Sequence, residues 1–282
     1  MGAEQVVAEH YGKPGLEDAI LAGVAAVGLD PDHFEPDDLA AVDQFHVGGA
    51  EAAENVARGT GIRSGMRVLD IGSGIGGPAR LFAHRFGATV HGVDLTPSFV
   101  TTAQSLTRRC GLAGLVSFSE ASGLDLPFSD GEFDAATMMH VGMNVEPKDA
   151  LFREVHRVLR RGGVFAVYDI MLTGEGEPQF PLPWAASAET SFLRSPLDYI
   201  RELEEAGFTV TGERNRHGFA LEFLTRAQAR LADDDPRLAG MRMVLGPEGP
   251  VRLGHLVQAI RSGTLAPVEI FSRRDGAREP NA

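Results

Sequence analysis

The sequence predicts an α/β protein with a doubly wound, mostly parallel, Rossmann-like sheet, and three observations carry that prediction. An apolar, β-branched run passes through an acid into a glycine-rich turn at Val68-Leu69-Asp70-Ile71-Gly72-Ser73-Gly74-Ile75-Gly76-Gly77-Pro78. A second such run, Ala88-Thr89-Val90-His91-Gly92-Val93, ends in another acid, Asp94. From Arg67 to Arg214, strand and helix periods alternate with short connections, as in parallel strands joined by crossover helices.

Taken in order, the first strand leads into a helix running through Phe86, with Pro78 suited to its first turn because proline lacks an N–H. The strand to Asp94 is followed by a helix over Pro97–Arg109 and a short strand, Leu115–Ser119. Leu126-Pro127-Phe128-Ser129-Asp130-Gly131 reads as a turn, Phe133–Met138 as a strand and Asp149–Leu159 as a helix. Gly162-Gly163 then opens a strand over Val164–Tyr168, and a helix (Pro196–Ala206) and strand (Phe208–Arg214) close the alternating region.

Three regions follow from this pattern. Residues 1–66 form a helical N-terminal cap, since Val6-Val7, Leu16-Ala19-Ile20 and Val24-Val27 recur at helical spacing. Residues 67–214 form the core, interrupted over 171–195 by a proline-rich connection, Glu177-Pro178-Gln179-Phe180-Pro181-Leu182-Pro183-Trp184, which leaves the ligand edge of the sheet and reads as a substrate lid. Residues 215–282 form a small helical lobe and a last strand at Val268–Phe271.

The 282-residue chain is large enough to bury its own core without staples, and its single cysteine, Cys110, suits a reducing cytoplasm. A net charge of −13 without a lysine- or arginine-rich block argues against nucleic acid as a partner. No apolar stretch approaches a membrane span and the start, Met1-Gly2-Ala3-Glu4, has no basic region followed by an apolar run, so the expectation is a soluble cytoplasmic protein without a membrane partner. The oligomeric state stays open, a homodimer included. No metal site is expected.

Glycines 72, 74 and 77 match the G-x-G-x-x-G spacing of nucleotide-binding turns. Asp70 decides which nucleotide, because it would place a negative charge where a dinucleotide rests its pyrophosphate. A phosphate-free ligand with a cationic ammonium and sulfonium would be attracted there, and S-adenosyl-L-methionine is such a ligand. Asp94 suits both hydroxyls of a ribose, a feature that NAD sites share. The adjacent Gly48 and Gly49 imply close backbone approach to the pocket.

These segments, with Leu126-Pro127-Phe128 and Val158-Leu159-Arg160-Arg161-Gly162-Gly163, resemble class I S-adenosylmethionine-dependent methyltransferases over residues 60–215. His46-Val47-Gly48-Gly49, His140-Val141-Gly142-Met143-Asn144-Val145 and Pro181-Leu182-Pro183-Trp184-Ala185 narrow the likeness to the group of sarcosine/dimethylglycine and phosphoethanolamine N-methyltransferases. The resemblance implies that Asp70, Gly72 and Gly74 line the aminocarboxypropyl arm, that Asp94 and Leu95 hold the ribose, and that Ser122 and Gly123 border the adenine. It places His46 and Gly48 over the methionine end and Tyr11 near the methyl group. The sequence departs from the pattern at Ser122, where many relatives have an acid, and at Arg161, where a proline is usual. A histidine found in several relatives is replaced by Asn144, which leaves His140, four residues earlier, as the histidine candidate.

Methyl transfer from a sulfonium is an in-line displacement, so positioning in a dry pocket supplies most of the acceleration. Tyr11, His140 and Asn144 are the candidate catalytic groups, and Met143, Phe180 and Trp184 are expected to face a small-molecule acceptor, most favourably an amine nitrogen. An O- or C-methyltransferase of a natural product or quinone is the alternative, with His140 or His46 as base. An NAD-dependent oxidoreductase and a non-catalytic cofactor-binding protein are the competing classes.

Overall fold

The computed structural model describes residues 11–12, 15–232 and 236–275. Seven strands, β1 (Arg67–Ile71), β2 (Thr89–Asp94), β3 (Val116–Glu120), β4 (Phe133–Met139), β5 (Leu159–Leu172), β6 (Phe208–Asn215) and β7 (Leu265–Arg274), form one sheet in the order β3-β2-β1-β4-β5-β7-β6. All neighbours pair in parallel except β7, which runs antiparallel to both β5 and β6. The chain leaves β1 for β2 and β3 on one side and returns to β4 on the other, so a crevice opens where the order reverses, at the carboxyl ends of β1 and β4.

Alternation along β1 builds the two layers. Val68 joins Val90, Phe82 and Val56 on one face, while Leu69 and Ile71 join Phe152, Val155 and Phe165 on the other. With both faces covered, the central strands are mostly apolar. Nine helices among the described residues complete the fold: α1 (Leu16–Ala26), α2 (Gly49–Thr60), α3 (Gly77–Phe86), α4 (Pro97–Arg109), α5 (Lys148–Val158), α6 (Pro196–Glu205), α7 (His217–Ala232), α8 (Ala239–Leu245) and α9 (Gly249–Arg261). Their starts are written locally: Pro78 and Pro97 sit in first turns. Ser195 and Asp198 form a reciprocal capping box on α6.

The last three helices lie between β6 and β7 in the chain. In the N-terminal region, Ile20 of α1 packs in one cluster with Val42 and with Val244 of α8, so that region and the lobe close on each other. The helical period at Val6-Val7 lies outside the described residues.

Strand β5 is longer than the sequence suggests. It begins at Leu159, directly after α5, and a register shift follows before Ala135 pairs Val164. At its other end it continues past Tyr168 to Leu172, because β7 pairs it along that whole length.

Candidate active site

The glycine-rich turn leaves β1 through Gly72, whose φ of 66° is left-handed and whose hypothetical Cβ would lie 2.2 Å from Val141 Cγ2. Its amides are largely committed. Ser73 N–H donates to Val93 O (3.0 Å), Gly76 N–H to Ser73 O (2.9 Å) and Gly74 N–H to an Asp94 carboxylate oxygen (2.8 Å). The other Asp94 oxygen accepts the Thr96 amide at 2.9 Å. A turn that has spent these donors on two backbone carbonyls and an acid is a poor cradle for a pyrophosphate.

Asp70 is 2% exposed. One oxygen accepts the Thr137 hydroxyl at 2.8 Å, from the residue opposite it on β4, and the other has no partner. Burial pushes its pKa up to about 7; the Thr137 bond opposes this and the nearby Asp94 adds to it. A buried carboxylate with an open oxygen calls for a cation, so the residues present fit the ammonium of S-adenosylmethionine.

Over this turn lies the stretch from Asp43 to His46. It is pinned by a buried ion pair, Asp43 to Arg80, at 2.9 Å, and the same guanidinium donates to Thr107 at 3.2 Å. Phe45 stacks on Phe99, with ring centroids 6.2 Å apart. His46 Nε2 bonds to Gly49 O at 3.0 Å, and burial lowers its pKa to about 4. His46 is therefore neutral at physiological pH.

Just past β4, His140 has a left-handed backbone (φ 57°), uncommon for a residue with a side chain, and its amide donates to Tyr168 O at 2.8 Å. Its ring lies 5.3 Å from the Tyr168 ring and 6.0 Å from His46, and Nε2 is shielded without a partner. Burial, reinforced by His46, lowers its pKa well below the usual histidine value. Asn144 is buried, with Oδ1 unpartnered. The Tyr11 side chain hydrogen-bonds Asn144, and burial pushes its phenol up to about 12.

One cavity brings together Tyr11, His46, Asp70, Gly72, Gly74, Asp94, Leu95, Gly123, His140 and Asn144. Five other expected site residues do not border it. Gly48 packs beneath the Phe219 ring. Ser122 accepts the Leu124 amide at 3.0 Å, leaving its neighbours Ala121 and Gly123 on the wall. Met143 and Trp184 are buried in the apolar cluster of the lobe, against which Phe180 packs. Trp184 donates its indole N–H to Ser191 at 3.0 Å, and the preceding turn is held by Arg252, which donates to Leu182 O at 2.9 Å. In this structure Trp184 and Phe180 thus pack into the lobe's apolar cluster and do not border the cavity where they were expected to face an acceptor.

Sequence reasoning missed Asp169, which is fully buried at the ligand end of β5. It accepts the amides of Val141 (2.8 Å) and Gly142 (2.9 Å) and the hydroxyl of Tyr199 (2.9 Å). Burial pushes its pKa up to about 6. It also missed Glu146, which borders the cavity together with Asp43 and Phe45. The available signal for Asp169 was an acid at the end of a strand, the same signal that marked Asp70 and Asp94.

Residues 69–167 match the model of a family described as a methyltransferase domain. Cycloartenol-C-24-methyltransferase 1 of Oryza sativa subsp. japonica is 31% identical over 161 residues, covering 55% of this chain and 47% of that protein. Erythromycin 3''-O-methyltransferase of Saccharopolyspora erythraea is 34% identical over 169 residues, covering 56% and 55%. The chain thus spans about half the length of the curated relatives it matches. Among solved structures, geranyl diphosphate C-methyltransferase from Streptomyces coelicolor A3(2) superposes with a TM-score of 0.70 at 21% identity, covering 97% of this chain and 98% of that one. A protein described as a sarcosine dimethylglycine methyltransferase from Galdieria sulphuraria gives 0.65 at 21%, covering 80% and 85%. Residues 69–167 are thus similar to a methyltransferase domain, within a fold shared with solved methyltransferase structures.

Proposed function

We propose that the protein is an enzyme that moves a methyl group from S-adenosylmethionine to a small-molecule acceptor, and that the acceptor atom is an amine nitrogen. The observation that carries this reading is that Asp70, with its open buried oxygen, lines the same cavity as neutral His140, Asn144 and Tyr11. Asp70 would hold the donor's ammonium and Asp94 its ribose, while Phe45 and His46 keep water out from above. The cofactor would supply an electrophilic methyl group on a sulfonium.

The acceptor side favours nitrogen for a reason of base strength. A histidine held neutral by burial accepts a hydrogen bond well but is a weak base. That suits an amine, whose lone pair is nucleophilic once neutral and needs only orientation by His140, Asn144 and Tyr11. A hydroxyl needs fuller deprotonation, so a phenol or enol acceptor is the second reading. It is supported by the relative named as an O-methyltransferase.

Calorimetric titration of the purified protein with S-adenosylhomocysteine and with NADH, followed by transfer of labelled methyl to matched amine and phenol panels, tests the proposal. Binding of NADH alone would sink the donor assignment. Phenol turnover without amine turnover would replace nitrogen by oxygen.

A further inference from the structure

We infer that the acceptor is an unphosphorylated small molecule with a neutral or cationic head, recognised by an acidic cavity; this rests on the methyltransferase reading above. Among the described residues, three lining carboxylates form no ion pair: Asp70 and Asp94 at the donor end, and Glu146, exposed at the rim. The fourth, Asp43, is matched by Arg80. A bound donor, with its sulfonium, ammonium and carboxylate, adds one net positive charge and leaves the cavity negative.

Three described cations around the cavity are committed elsewhere. Arg80 is spent on Asp43 and Thr107. Lys148, one residue beyond the rim residue Pro147, turns inward; its Nζ donates to Val145 O (2.7 Å) and Phe192 O (2.6 Å) and lies 5.5 Å from the Tyr199 ring. Arg252, whose charge is felt by Tyr11, donates to Leu182 O and Glu248, each at 2.9 Å. A phosphate carrying about 1.5 to 2 negative charges would meet carboxylates here, with no uncommitted cation to pair it among the described residues.

A second observation points the same way. The buried atoms left without partners beside the acceptor space are Asn144 Oδ1 and His140 Nε2. An amide oxygen can only accept, so Asn144 Oδ1 is complementary to an N–H or O–H group. A neutral His140 also carries one acceptor nitrogen able to meet such a group. A phosphate, which presents acceptor oxygens, leaves Asn144 Oδ1 unsatisfied.

The test is calorimetry on protein saturated with S-adenosylhomocysteine, using matched probes: geranylamine against geranyl diphosphate, and ethanolamine against phosphoethanolamine. The expected result is that geranylamine binds at least about tenfold more tightly than the diphosphate, and that Glu146→Gln narrows this ratio about two- to threefold as a rim charge should. A phosphorylated probe that binds as tightly as its amine partner overturns the inference, as does failure of every probe to bind. The preliminary titration with S-adenosylhomocysteine alone reports separately on the methyltransferase reading: without it, that reading falls whatever the probes do.

Discussion

Asp169 accepts the Gly142 amide at 2.9 Å, where no side chain at 142 would fit: a Cβ there would lie 2.4 Å from both the carboxylate oxygen and the Tyr199 hydroxyl. Because Asp169 also holds the Val141 amide, the end of β5 fixes the backbone between His140 and Asn144. The two candidate acceptor-side groups thus share one buried anchor.

Gly142→Ala is therefore expected to displace that loop, lowering kcat by about a hundredfold, as a misplacement near 1 Å does, while Kd for S-adenosylhomocysteine changes less than about threefold. Asp169→Asn keeps the volume but turns one N–H donor toward another, and should lower kcat in the same way. Steady-state kinetics beside cofactor calorimetry checks the split. A loss of cofactor binding equal to the loss of kcat would show that the anchor serves the whole domain.

Asp70 makes cofactor affinity pH-dependent. Its pKa in the cofactor-free protein is about 7, and only the ionised form pairs with an ammonium, so each pH unit below that value should weaken S-adenosylhomocysteine binding by up to about tenfold. Asp70→Asn should abolish the slope. The stability effect has the opposite sign. A folded-state carboxylate pKa raised above the ordinary value of 3.8 stabilises the fold at low pH, and that contribution is lost as pH rises through about 7. Asp70→Asn is then expected to raise the Tm of the cofactor-free protein at pH 8 and not at pH 4. Thermal melts at the two pH values decide it.

His140→Asn isolates the imidazole from its backbone. Asparagine tolerates the left-handed region that His140 occupies, so the turn should persist while the ring over Tyr168 is lost. The expected outcome is a fall in turnover of about a hundredfold or more with cofactor affinity retained. If Asp70→Ala and His140→Asn weakened cofactor binding alike, their assignment to opposite ends of the cavity would fail.

What could be read without coordinates was whatever depends on neighbours in sequence. Asp70 and Asp94 end apolar runs beside glycines, and the helix over Pro97–Arg109 carries its own start signal. The packing of Trp184 was not legible because its surroundings come from far along the chain: Leu256 and Ile260 of α9 share its cluster, and Arg252 ties down its turn. Asp169 was passed over because β5 extends past Tyr168 only through its antiparallel pairing with β7, about a hundred residues later. Gly142 gave no local hint of how tightly it is enclosed.

The corrected place of Trp184 changes what its removal should do. Buried among Leu182, Leu256 and Ile260, it is expected on substitution by alanine to destabilise the protein by about 3–5 kcal/mol, leaving the freed Ser191 hydroxyl without its donor. Cofactor affinity measured well below the Tm should be near normal. Denaturant unfolding monitors the loss; an unchanged midpoint with a raised acceptor KM would restore the lid reading.

Arg80 and Asp43 make the sharpest stability test because neither is exposed: the side chains are 0% and 2% accessible. Arg80→Met keeps most of the apolar stem but leaves a buried carboxylate whose second oxygen is already unpartnered, which should cost about 3–5 kcal/mol. Burial already pushes the Asp43 pKa up against the pull of Arg80, so in this variant the carboxyl should protonate more readily and the loss should ease as pH falls. Phe45 and His46 follow Asp43 over the turn, so the single variant should also bind S-adenosylhomocysteine more weakly. Adding Asp43→Asn to Arg80→Met removes the stranded charge, and the pair should recover much of the stability lost by the single variant. A double variant no more stable than Arg80→Met would mean that the guanidinium acts mainly through Ala103 and Thr107, not through the ion pair.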